Sequence, residues 1–218
     1  MKRKGLLCAV LALVLLFSAQ PAAMAAGNMR STIIRANCRL PIIRVTVPTR
    51  ASVYFNPLRF PVSIGDGETD EQIISTPASI ANESEVPLEV DVTVTGAVKT
   101  GSTMTLASAP TGGTGTEKSA FVYFEMKQAD SEYPEDVAWD PAYDASKHIA
   151  IVPGTSITRQ SMLTLPARTL DGEVAEGGYA PFRLSGDAVK NPTNAWNIRD
   201  GIYVTVAFTF TPLSYPVS

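Results

Sequence analysis

Apolar and polar side chains alternate along much of the chain. Ile202, Val204, Val206, Phe208 and Phe210 alternate with Tyr203, Thr205, Ala207 and Thr209. Leu88, Val90, Val92 and Val94 alternate with Glu89, Asp91, Thr93 and Thr95. A period of two sends successive side chains to opposite faces of a strand, so each segment buries one face and wets the other. Shorter β-prone segments lie at residues 33–35, 42–47, 52–55, 72–81, 103–107, 120–126, 148–152, 161–165 and 179–184. Turn chemistry separates them, as at Gly65-Asp66-Gly67, residues 111–115, Asp171-Gly172, Gly177-Gly178 and Asp200-Gly201.

These patterns predict an all-β fold, an antiparallel β-sandwich of immunoglobulin-like or jelly-roll-like type with long loops and at most one short helix. With 16 prolines and 15 glycines there is little room for helix. The best helical candidate is residues 133–147, where Pro134 can start a turn and Pro141 must end or kink it.

The first 25 residues read differently. Lys2, Arg3 and Lys4 precede an apolar run from Leu6 to Phe17, and Ala23-Met24-Ala25 supplies a small-x-small cleavage pattern. The run is shorter than the roughly 20 residues that span a bilayer, so a cleaved secretory leader is expected, cut after Ala25. Cys8 lies inside the run and not after it, which argues against a lipid anchor there. Residues 26–40 are expected to form a less regular arm and residues 41–218 a single sandwich domain. The mature chain then has no transmembrane segment. It is expected outside the cytoplasm, secreted or associated with a bacterial cell surface.

Loss of the three leading basic residues takes the formal charge from −3 to −6. An acidic surface argues against nucleic acid, which selects basic patches. Only Cys38 survives cleavage, so no internal disulfide is possible and the core must carry the fold. Cys38 reads as a buried apolar residue, a free thiol or half of an intermolecular bond.

Candidate chemistry concentrates in one acidic stretch. Asp130, Glu132, Glu135, Asp136, Asp140 and Asp144 fall within 15 residues, an oxygen-only set that suits calcium if it converges. Tyr133, Trp139 and Tyr143 are interleaved with the acids and can serve as a stacking platform for a glycan, or can pin the loop to the sandwich. The turn at residues 66–71 fails the EF-hand pattern, because Glu71 stands where glycine is required and Pro77 where the bidentate acid is required. His148 is the only histidine, and the chain lacks a G-x-S-x-G, an H-E-x-x-H and a phosphate-binding glycine loop. No enzyme activity is expected, and no cofactor beyond possible calcium.

The arm is the other notable feature. Residues 29–35 and 40–47 are β-prone and apolar enough to want a partner. They fit either an ordinary first strand or a strand lent to the sheet edge of a neighbouring subunit.

Two stretches carry a resemblance. Val45-Thr46-Val47-Pro48, Val53-Tyr54-Phe55-Asn56-Pro57, Ala78-Ser79-Ile80-Ala81-Asn82-Glu83-Ser84 and Val86-Pro87-Leu88-Glu89-Val90 resemble a pattern of Gram-positive surface proteins. Its Asn-x-Ser turn is expected to be capped by side-chain oxygens. Phe182-Arg183-Leu184-Ser185-Gly186-Asp187-Ala188, Trp196 and residues 201–210 are similar to the closing strands of the same proteins and of the WxL surface-domain family. Where that family has Trp-x-Leu this chain has Phe208-Thr209-Phe210. The chain is also similar in size and make-up to matrix fibre proteins of the TasA/camelysin type. The resemblance implies a surface or matrix β-sandwich, structural or adhesive, with partners among its own copies, other surface proteins or glycans. It implies no functional residue.

Overall fold

In a strand whose outer face is wet, alternation should appear directly in burial, and in the longest strands it does. A computed structural model describes residues 43–48, 53–64, 67–76, 78–133, 137–190 and 195–213. The expectations placed on the leader, on residues 26–40 and on Cys38 lie outside them. Thirteen strands are formed among the described residues: β1 Val45–Thr46, β2 Val53–Phe55, β3 Val62–Ile64, β4 Gly67–Thr69, β5 Ile73–Ser75, β6 Ala78–Asn82, β7 Leu88–Val98, β8 Thr105–Leu106, β9 Ser119–Met126, β10 Ile149–Ala150, β11 Ser156–Leu165, β12 Tyr179–Ala188 and β13 Ile202–Pro212.

The fold is an all-β sandwich. One sheet has the order β1-β6-β12-β9-β10, with β8 paired in parallel to β9. The other is the antiparallel trio β11-β7-β13. Two small ribbons, β2-β5 and β3-β4, complete it. Register lines up the apolar rows: Phe210 lies opposite Val90, Phe208 opposite Val92 and Val206 opposite Val94. Phe208 then reaches the facing sheet, 5.2 Å from the ring of Phe182 and 6.4 Å from that of Phe124. This contact between layers closes a core of Ile80, Val90, Val92, Val94, Val122, Phe124 and Ile151. Full burial of each such side chain stabilises the fold by roughly 1.5–3 kcal/mol.

Gly96 interrupts the inward row of β7 for a reason. The side chain of Ile151 occupies the space where a Cβ would stand. Gly186 in β12 has φ 152° and lies against the carbonyl of Phe121 on β9, so only glycine fits both the space and the backbone there.

The turn of Asn82-Glu83-Ser84 is capped as its sequence suggests. The Ser84 amide donates to Asn82 Oδ1 at 2.9 Å, and Ser84 Oγ accepts from the Arg44 amide at 2.8 Å. Asn82 is fully buried, and its Nδ2 donates to the carbonyls of Val86 and Pro166, which ties β6 to the loop before β7 and the end of β11.

The sequence reading named no strand at residues 62–69, where β3 and β4 form, and segments elsewhere differ from it too. Residues 72–81 form two strands, β5 and β6, that join different sheets. β11 begins five residues earlier than the apolar pattern of 161–165 suggests, because its first half pairs through polar side chains: Thr158 Oγ1 lies 2.8 Å from Thr93 Oγ1, and Ser156 Oγ 2.7 Å from Thr95 Oγ1. The described part of residues 133–147 is not helical. Its one closed turn forms where the Asp144 carbonyl accepts the Lys147 and His148 amides, and Asp144 Oδ1 accepts the Ser146 amide.

Candidate functional site

β9 carries apolar residues on both faces. Ala120, Val122, Phe124 and Met126 face the core, while Phe121, Tyr123 and Glu125, also buried, face the other way. Residues 137–148 cover that outer face. Tyr143 packs edge-on against Phe121 with ring centres 4.9 Å apart and lies 5.2 Å from Tyr123, while His148 stacks on Tyr123 at 4.8 Å. Tyr143, a candidate platform residue, therefore pins the loop.

A polar network lies under this cover. The Glu125 side chain is only 1 % exposed, and its Oε1 accepts from Arg183 Nε at 2.6 Å. Arg183 continues to Glu71 at 3.3 Å, and its guanidinium lies 4.8 Å from the ring centre of Trp139, a cation–π contact. Glu125 Oε2 has no hydrogen-bond partner among the described residues and sits 3.7 Å from His148 Nε2. Asp140 Oδ2 lies 3.3 Å from the same nitrogen, and Asp140 Oδ1 accepts from Lys127 Nζ at 2.8 Å. The Lys127 bond, foremost, holds the Asp140 carboxyl below its ordinary range, with Lys147 and His148 adding to it. Burial lifts the Tyr123 phenol above its usual value, a hydrogen bond with Ser185 opposes that, and the Glu125 charge adds to it.

The geometry also fixes the histidine. The Asp144 amide donates to His148 Nδ1 at 2.9 Å, so Nδ1 is an acceptor and the ring hydrogen sits on Nε2. That hydrogen is directed at Asp140 Oδ2, 3.3 Å away, and leaves Glu125 Oε2, at 3.7 Å, beyond hydrogen-bond distance.

The candidate residues thus separate. Asp140 joins the network, with Trp139 against Arg183. Asp144 closes its own turn, accepting from the amide and hydroxyl of Ser146, and those bonds hold its carboxyl low. Asp130, Glu132 and Tyr133 are exposed, and Glu135 and Asp136 lie outside the described residues. Among the described residues no group of three or more His, Cys, Asp or Glu side chains is arranged to hold a metal ion. Beside Trp139 and Tyr143 opens a cleft of about 580 Å³ that Arg183, Glu71 and Asp187 also line. Asp187 accepts from the Thr111 amide and hydroxyl and from the Gly112 amide, so the charged groups named at this cleft are already engaged. Glu125, Arg183, Lys127 and Tyr123 are residues that the sequence reading did not select. The available signal was a single Glu inside the apolar run of β9.

The sheet edges form a second feature. An edge strand exposes a row of unpaired backbone groups, and proteins commonly blunt such edges with short strands, bulges or charge. β1 and β10, at the ends of the larger sheet, are two residues each. β11 carries a register shift between Arg159 and Leu163, with Ser161 at φ 50°. Arg159 also donates to the carbonyls of Ala145, Ser146 and His148, which draws the loop against that edge. β13 has none of these features. It runs 11 residues in unbroken register along β7, pairs with no other strand among the described residues, and carries no charged side chain. Its inward residues Val204, Val206, Phe208 and Phe210 are only half-buried, whereas their neighbours Val90, Val92 and Val94 on β7 are fully buried. Tyr203 and Ile198 stand exposed at its start, beside Trp196 and Tyr54.

Comparison with models of known protein families, with curated proteins and with solved structures finds no match.

Proposed function

We propose that this chain is an exported structural or interaction protein that associates with its own copies by adding a strand at the open edge of β13. The observation that carries this reading is the contrast between edges. Among the described residues three of the four edges of the two larger sheets are shortened or bulged, and β13, the longest of those edge strands, keeps unbroken register, carries no charged side chain and is half-covered. An added strand satisfies its backbone groups and covers its apolar row in one step. The leader pattern of residues 1–25 supports work outside the cytoplasm, and the arm of residues 26–40 is one candidate donor that the sequence offers.

The rival reading, a glycan- or calcium-dependent adhesion module, draws on the loop at residues 130–144. There Arg183 takes a face of Trp139 and Lys127 takes an oxygen of Asp140, which favours a pinned loop over an open receptor.

Light scattering after size exclusion, across a concentration series of the exported chain and alongside electron microscopy, tests the proposal. An apparent mass that rises with concentration supports it. A monomer across the whole series, with no assemblies on the grid, removes it.

A further inference from the structure

Resting on the self-association reading, we infer that the strand laid along β13 is β13 of a second copy, antiparallel to the first about a two-fold axis at Ala207. Pairing about that axis is self-complementary. Val206 meets the partner's Phe208 and Val204 the partner's Phe210 on the inward face, so the two half-buried apolar rows become one. On the outward face Thr205 meets the partner's Thr209 and Tyr203 the partner's Thr211. Cross-strand pairs of this kind are the unit that stabilises a sheet.

Charge points the same way. Ile202–Pro212 contains no Asp, Glu, Lys, Arg or His, so the symmetric pairing sets no like charges opposite each other. The arm is a poorer mate. Arg30 and Arg35 differ in parity, so an extended strand through residues 29–35 turns one arginine toward the apolar row whichever face it presents. The next arm segment is partly engaged, since Val45 and Thr46 already pair with Asn82 and Ala81 in the other sheet. Two strands of 11 residues exchange about ten backbone hydrogen bonds, the number found in a typical specific interface. A two-fold contact of this kind closes at two copies, so the elementary unit is a dimer with a continuous sheet of β11-β7-β13 from each copy.

The test uses the exported full chain and two oppositely charged variants, Ala207→Lys and Ala207→Glu. Ala207 is exposed on β13, so neither change disturbs the core, and circular dichroism verifies the fold. Thr205→Lys, also exposed, is the second probe. Each Ala207 variant places like charges together at the axis and is expected to weaken self-association by roughly tenfold or more, whereas Thr205→Lys sets its charge opposite the partner's Thr209 and is expected to weaken it less. An equimolar mixture of Ala207→Lys and Ala207→Glu is expected to restore association. Unchanged association in all the variants overturns this inference but leaves the self-association reading standing, and its abolition by deleting residues 26–40 then names the arm as donor. A wild-type chain that never associates overturns the self-association reading itself.

Discussion

Lys118 and Asp200 meet inside the sandwich, with Nζ 2.9 Å from Oδ2 and both side chains 2 % exposed. Lys118 leads into β9 of the larger sheet and Asp200 into β13 of the smaller, so this pair ties the two layers at the base of the open edge strand. The carboxylate also accepts from the Thr103 and Asn197 amides and the Ser102 hydroxyl, and the ammonium donates to Thr103 Oγ1. Removal of one partner leaves a buried charge alone, and such losses cost about 3–5 kcal/mol. Lys118→Met and Asp200→Asn should each lower the free energy of unfolding by that amount, read from denaturant titrations. The double variant should lose less than the sum, as a double-mutant cycle will measure.

The same pair sets an acid limit. Burial alone would raise the Asp200 carboxyl, but the Asn197 amide, Lys118 and the Thr103 amide outweigh it and hold the group below its ordinary 3.8. A carboxyl depressed in the folded state binds its proton more readily when unfolded. Its contribution is therefore complete above the ordinary value and is lost as pH falls through the lower folded value. Unfolding followed from pH 6 downward should show wild-type stability falling in that acid window, and Asp200→Asn should flatten the fall.

Arg183 is predicted to hold the loop of residues 137–148 through Glu125 and Trp139. Arg183→Met strands the Glu125 carboxylate in the interior and should destabilise the fold by about 3 kcal/mol. Adding Glu125→Gln should recover part of that loss, because a neutral amide is less costly to bury than a lone charge. Trp139 fluorescence should report a more solvent-exposed ring in Arg183→Met. An unshifted spectrum would show that the loop is held by Tyr143 and His148 alone.

Gly186→Ala should be among the most damaging single-methyl changes in the chain. The added Cβ meets the Phe121 carbonyl and the backbone is one that only glycine adopts easily, so the β12–β9 pairing must shift. A thermal midpoint lowered by several degrees checks it, with Gly112→Ala, where a Cβ meets open space, as the comparison for a strained backbone without a clash.

How far the fold was legible depended on what covers each strand. β7 and β13 announce themselves because one face of each is wet, so Glu89, Asp91, Thr205 and Thr209 mark the outside. β9 does not alternate, because residues 137–148 seal its outer face and allow Phe121, Tyr123 and Glu125 to be buried there. The early half of β11 is hidden by Thr158 and Ser156, which pair by hydroxyls. In the loop, Trp139, Asp140 and Tyr143 could be named from composition alone. Their partners Glu125, Lys127 and Arg183 could not, since pairing across a sheet joins residues far apart in sequence and periodicity carries no such information. The open edge was equally invisible, because the neighbours of a strand are a property of topology.

The most direct measurement of the central claim is hydrogen exchange in β13 as a function of protein concentration. In a lone molecule, alternate amides between Ile202 and Pro212 face away from β7 and exchange fast. The account predicts that these amides become protected as concentration rises, in step with apparent mass, while those bonded to β7 change little. Outward amides that exchange at the same fast rate in dilute and concentrated protein would contradict it.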